Sequence, residues 1–249
     1  MAAAILTGMA LEARLVRRTG LPVACGTGHA AAAEAAGRLL EGGAAGIVSF
    51  GVAGGLAPDL KPGSLIVATA VIDEGGPVFP VCRSWHRHLR HALPQARPAV
   101  VAGALVPAAS REDKARLRGC TGAAAVDLES LAVARVCRAW GRPFAVLRAV
   151  ADPEWRALPA AALAGLDGDG RVALGAMLAR LAADPRQIAA LGRLAWDLGC
   201  ALAALRKAAG AFPGALLGSG PIGGGPIGGG PICGGPLGLD PAQRVRDVT

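Results

Sequence analysis

Tyrosine is missing from this chain of 249 residues, and aromatic side chains make up only 3% of it. That composition is poor in the flat rings on which unpaired bases stack. No helix-turn-helix, zinc-finger or RNA-recognition pattern appears either. The excess of 26 Lys and Arg over 18 Asp and Glu is therefore not read as a nucleic-acid footprint. Cysteine spacing of the metal or redox kind is also missing. The six cysteines, at 25, 82, 120, 137, 200 and 233, form no C-x-x-C and no Cys/His pair at ligand spacing. They are expected to be buried free thiols of a cytosolic protein, with no metal site. The uncharged stretch 42–58 carries six glycines, which excludes a spanning helix of about 20 apolar residues there. The opening MAAAILTGMALEARLVRR has no basic leader and meets Glu12 early, so a secretory segment is not expected. Acids are missing from 81–98, which holds Arg83, Arg87, Arg90 and Arg97. Such a run is either a solvated helix face or a contact for an anionic membrane surface.

What is present alternates strand and helix. Short apolar strands are expected at 2–7 and 21–25, each followed by a helix, at 10–19 and 29–42. A third strand, 46–51, runs into a glycine-rich loop, and SLIVATAVI at 64–72 reads as a strand buried on both faces. Further strands are expected at 99–106 and 143–150, with helices near 84–93, 111–118 and 129–140. This order implies an α/β fold, three layers α/β/α around a central mixed sheet. After Asp152 only helices are expected, at 159–165, 171–183 and 186–208. Residues 1–209 are taken as one domain. The tail, 210–249, repeats PIGGG, PIGGG, PICGG and is expected to be disordered, because proline and glycine bury too little surface to offset chain entropy.

Several residues carry chemistry at strand ends, where open α/β sheets bind ligands. CGTGHA at 25–30 mimics a dinucleotide fingerprint, but the confirming acid is missing from SFG at 49–51. A tight turn approaching a ligand explains those glycines without a nicotinamide cofactor. Gly51, Gly54 and Gly55 either permit a turn or let a ligand lie on bare backbone. Glu12, Asp127 and Glu129 each open a helix, where the macrodipole favours acids in any case. Arg148 and Asp152 are harder to place as structure alone. Both lie in the apolar strand FAVLRAVAD, and a charge in a buried strand is costly unless paired or used.

Together these residues resemble the nucleoside phosphorylase superfamily, in particular the methylthioadenosine/S-adenosylhomocysteine nucleosidases. GVAGGLAPDLKPGSLIVA looks like that family's strand-loop-strand, VDLES its ribose-binding segment, and FAVLRAVAD its strand ending in a general-acid aspartate. TGMALEA and CGTGHAAAA are similar to its first two strand-end motifs. Beyond 153, the stretch LPAAALAGLDGDGRVALGAMLARL and the helix after it look like the hopanoid-associated phosphorylase branch. The resemblance implies N-glycosidic cleavage. Asp152 would protonate the purine N7, while Glu129, with Leu128 and Met9, would hold the ribose. Glu12 and Arg148 would position water or phosphate. Thr27 and the Val52, Ala53, Gly54, Gly55 backbone would line the substrate.

Three departures from the family pattern are visible. Val52 stands where the nucleosidases have Ser or Thr, Leu128 replaces the family's Met beneath the ribose, and no aromatic residue lies near 103–110 to clamp adenine. No second arginine or serine is evident beside Arg148, so the residue chemistry leans to hydrolysis. No cofactor is expected, although inorganic phosphate remains an option as co-substrate. The branch implies adenosylhopane as substrate, a nucleoside-lipid. The alternatives are a nucleosidase for soluble adenine thionucleosides and a non-catalytic nucleoside-binding module. A cytoplasmic homo-oligomer is expected, with peripheral contact to the inner membrane as an option and no nucleic-acid partner.

Overall fold

The computed structural model describes residues 2–164, 179, 183–210 and 212. Eight strands, in chain order, form one sheet: β1 (Ala4–Thr7), β2 (Val23–Cys25), β3 (Ile47–Gly55), β4 (Leu65–Asp73), β5 (Val78–Pro80), β6 (Arg97–Gly103), β7 (Ala125–Asp127) and β8 (Phe144–Asp152). The sheet is mixed. β3 runs parallel to β1 and β8, while β4 meets β8 antiparallel and β6 parallel. β7 joins β6 in parallel and β3 in antiparallel fashion. Strands β3, β7, β6, β4 and β8 therefore close a ring, and β2, β1 and β5 extend it.

Two helical layers cover it. α2 (Gly28–Glu41) and α5 (Ser130–Ala139) bury Ala32, Ala36, Val133 and Val136 against one face. α1 (Ala10–Val16), α3 (Arg83–Ala92) and, numbered in order below, the last helix cover the other with Val16, Trp85, Leu89 and Leu205. Strand alternation explains the division: Ile47 faces the first layer and Val48 the second. α4 (Arg111–Thr121) packs Leu117 into a smaller cluster with Leu56 and Val126. α6 (Ala160–Ala164) and α7 (Gln187–Ala209) follow β8. The expected three-layer α/β arrangement is what the chain adopts.

Three expectations need correction. The glycines after residue 50 do not form a loop, because β3 continues through Gly55 and bulges between Ala53 and Gly54. Asp127 does not open a helix: it ends β7, and Glu129 is the N-cap of α5. The described cysteines are free, but Cys25 and Cys120 are exposed and only Cys137 is fully buried. The helix expected at 171–183 lies outside the described residues apart from 179 and 183, as does the proline-glycine tail from 213 onward.

Candidate active site

The ends of β1, β3, β7 and β8 converge on three carboxyl groups around one guanidinium. Arg148 is 1% exposed in the middle of β8. Its burial is tolerable because Nε donates to Asp127, and Nη2 donates to Ser49 at 2.7 Å and Ser130 at 2.9 Å. Nη1 is buried with no hydrogen-bond partner among the described residues. Asp127 is fixed in turn, accepting from the Ser130 N–H at 2.8 Å and from the Ser130 hydroxyl. That contact ties the end of β7 to the first turn of α5.

Glu12 comes in from α1, buried at 2% exposure. One carboxylate oxygen accepts from the Gly8 and Met9 N–H groups at 3.0 and 2.8 Å, and the other from the Val52 N–H at 2.8 Å. Gly51 makes this approach possible, since a Cβ there would lie 2.6 Å from the Glu12 carboxyl. Burial pushes the Glu12 carboxyl above the ordinary carboxylate range, against the pull of Arg148 and the three donors.

Glu129, the N-cap of α5, accepts from the Gly28 N–H at 3.0 Å. Gly28 sits at φ +77°, a left-handed conformation that suits glycine, and so turns its N–H toward this carboxyl. The CGTGHA turn thus serves Glu129. Gly8 is required on the other side, because a Cβ there would come within 2.8 Å of the Glu129 carboxyl. Burial and the neighbouring Asp127 push Glu129 up to about 7. Thr27 donates its hydroxyl to the Gly8 carbonyl, joining the turn to the end of β1.

Asp152 lies four residues beyond Arg148 on β8, about 13 Å along the strand at ~3.3 Å per residue. It pairs with Gly54 in the sheet, and a Cβ at Gly54 would sit 3.1 Å from its carboxyl. Its partner is Lys114, which sequence reasoning missed. Lys114 is completely buried, and its ammonium donates to Asp152 Oδ2 at 2.7 Å. The same ammonium donates to the carbonyls of Asp152, Pro153 and Arg156 at 2.9–3.0 Å. A capping box aims it: Ser110 accepts from the Asp113 N–H and Asp113 accepts from the Ser110 N–H, both at 3.0 Å, one residue before Lys114. Burial pushes the Asp152 carboxyl up, and Lys114 opposes that rise. A signal was present, because Lys114 shares a helical face with Leu117, buried three residues later.

The structure brings Glu12, Glu129, Arg148, Met9, Val52 and Thr27 into one neighbourhood, with Gly54 and Asp152 further along the same strands. Ser49 and Ser130, also missed, supply the hydroxyl partners of Arg148. Leu128 is half-buried against the small cluster around Val126. The Ala53 side chain belongs to the core, and Gly55 packs on Val150 and Pro153, so these two can offer only backbone to a ligand. Among the described residues no group of His, Cys, Asp and Glu is placed to hold a metal ion.

The family model described as "Phosphorylase superfamily" matches residues 15–163. The chain belongs to this superfamily and is a nucleosidase/phosphorylase-type enzyme, built for cleavage of N-glycosidic bonds. No curated protein sequence matches it. Among solved structures, it is similar to the Neisseria meningitidis 5'-methylthioadenosine/S-adenosylhomocysteine nucleosidase in complex with methylthio-immucillin-A, with TM-score 0.65 and 17% identity over 85% of this chain and 98% of that one. The Campylobacter jejuni nucleosidase of the same name gives TM-score 0.58 and 22% identity over 62% of this chain and 86% of that one. The futalosine hydrolase mutant of Helicobacter pylori gives 0.55 and 22% over 59% and 88%. At these identities the likeness is one of fold.

Proposed function

We propose that the enzyme cleaves the N-glycosidic bond of adenosylhopane, with the purine at the Asp152 end of β8 and the ribose at the Arg148 end. The observation that carries the polarity is how the acids are distributed around the two charged residues of β8. Three carboxyls surround Arg148, whereas a lone carboxyl paired with a buried lysine lies about 13 Å away. Cleavage builds positive charge on the sugar and negative charge on the base. Clustered carboxyls suit the first, and a proton-donating carboxyl backed by an ammonium suits the second.

Asp152 donates its proton to the purine N7 as the C–N bond breaks, and the electron pair of that bond leaves with the base. Lys114 is a positioning residue: it holds the acid against β8 and stabilises the carboxylate left behind. Glu129 accepts from the ribose hydroxyls. Glu12 takes the proton of the attacking water, and Arg148 Nη1 is the spare donor on the same side. Water is favoured over phosphate, because one guanidinium faced by Asp127, Glu129 and Glu12 offers a dianion little net attraction.

A lipid at the 5′ position is supported by α7, which packs beside α1 and bears an exposed Trp196. The test is adenine release from adenosylhopane in micelles and from soluble 5'-methylthioadenosine, each with and without phosphate. Release from the lipid nucleoside alone supports the reading. Release from the soluble nucleoside alone moves the enzyme to the housekeeping nucleosidases, and release from neither, with tight binding of adenine nucleosides, makes the chain a binding module.

A further inference from the structure

The charge of this molecule is divided between its two helical layers. On the side covered by α2 and α5, and at the neighbouring α4, exposed acids such as Glu34, Glu41 and Glu112 stand among the basic residues, and some pair with them. Arg38 pairs with Glu34, Arg116 with Glu74 and Arg135 with Asp73. On the opposite side the exposed basic residues have no acid partner among the described residues. α1 and the 3-10 turn Arg17–Thr19 expose Arg14, Arg17 and Arg18, and α3 exposes Arg83 and Arg87. α7 adds Arg193, Arg206 and Lys207. None of these is in an ion pair among the described residues. The acids on these elements are Glu12 and Asp197, both buried and both occupied, Glu12 by backbone N–H groups and Asp197 by Arg156.

The buried sides of α1, α3 and α7 share one cluster against the sheet, with Val16, Leu89 and Leu205 among its members. Their exposed sides therefore face the same way. Apolar side chains stand among the arginines: Trp196 is 75% exposed, Ile188 61% and Leu11 46%. α7 is long and apolar enough to cross a membrane. It cannot do so while Ala201, Leu205 and Ala208 are packed on the sheet, so it lies flat, with Ile188 and Trp196 of its N-terminal half exposed.

We propose that the α1–α3–α7 face docks on an anionic phospholipid surface. Arginines and a lysine meet the headgroups, and Trp196 and Ile188 enter the acyl boundary, as in interfacial amphipathic helices. A phosphodiester backbone would account for the charge but gives exposed aliphatic side chains nothing to bury against. The inference is independent of the substrate, since a soluble-nucleoside enzyme could carry the same face.

The test is co-sedimentation of the full chain with phosphatidylcholine vesicles and with vesicles containing phosphatidylglycerol, at low and high salt. Binding is expected only to the anionic vesicles, falling with salt. R83E and R87E should each lower the partition coefficient at least fivefold, roughly the effect of one basic residue near such a surface, and leave turnover of a soluble nucleoside unchanged. Vesicles should shift tryptophan fluorescence to the blue in wild type and not in W196F. Equal binding to neutral vesicles, or binding untouched by R83E/R87E, would overturn the proposal. Duplex DNA displacing the protein from vesicles at equal phosphate concentration would assign the face to nucleic acid.

Discussion

Removing the ammonium of Lys114 leaves burial alone to act on Asp152, and burial pushes its carboxyl up. In K114M the loss of activity at alkaline pH should therefore move to higher pH in kcat/KM profiles. The same variant should lose about 3–5 kcal/mol of stability in denaturant titration, because breaking a buried pair strands its partner. An unchanged profile would reduce Lys114 to a structural role. D152N should lower kcat by about 10²–10⁴ with substrate affinity nearly kept, since it removes the proton donor and little volume. Glu129 titrates in the opposite sense to activity loss at Asp152. Its folded-state value of about 7 lies above the ordinary 4.5, so the carboxylate needed at the ribose appears only as pH rises through 7. Activity should climb over that range and lose this limb in E129Q. The same displacement means the folded state holds the extra proton, so stability from this group falls as pH rises from 4.5 to 7. E129Q should accordingly be at least as stable as wild type at pH 8. Arg148 and Asp152 stood out as charges in an apolar strand, whereas Glu12 and Glu129 were singled out only by the family resemblance. Lys114 left only a weak signal, its helical spacing from Leu117, because its partner lies 38 residues away and α4 reads as an ordinary polar helix.

At the scale of elements, Gly8 just after β1 and Gly51 in β3 make room for carboxylates that come from other parts of the chain. G51A would place a Cβ 2.6 Å from Glu12, and G8A one 2.8 Å from Glu129. Each should cost about 1–3 kcal/mol as overpacking and lower kcat more than tenfold, read by steady-state kinetics beside thermal melts. A Gly55→Ala change meets Val150 and Pro153 instead, so it should affect stability before activity. The sequence pattern could not make this distinction. A dense run of glycines after a strand has the look of a loop, and only the cross-strand neighbours reveal an uninterrupted β3. β5 and β7 escaped notice for a simpler reason: three residues are too few to show a period of two. The long apolar strands β4 and β8 and the alanine-rich α2 were legible because their burial is nearly continuous.

At the scale of the whole molecule, the closed ring of β3, β7, β6, β4 and β8 holds both ends of the site on strands rather than on loops. β8 alone carries Arg148 and Asp152, so the distance between these two ends of the site is set by strand rise and does not depend on a moving lid. The three-layer α/β order could be read from alternating strands and helices. The ring could not, because it depends on antiparallel pairings of β7 with β3 and β4 with β8 that no local pattern encodes. In the proposed mechanism this scaffold breaks an N-glycosidic bond using Asp152 at the base. Adenine release from adenosylhopane micelles by wild type and D152N, assayed without phosphate, tests this step. Stoichiometric free adenine and ribosylhopane are expected from wild type, and at least a hundredfold slower release from D152N. Equal rates from the two proteins would contradict the mechanism.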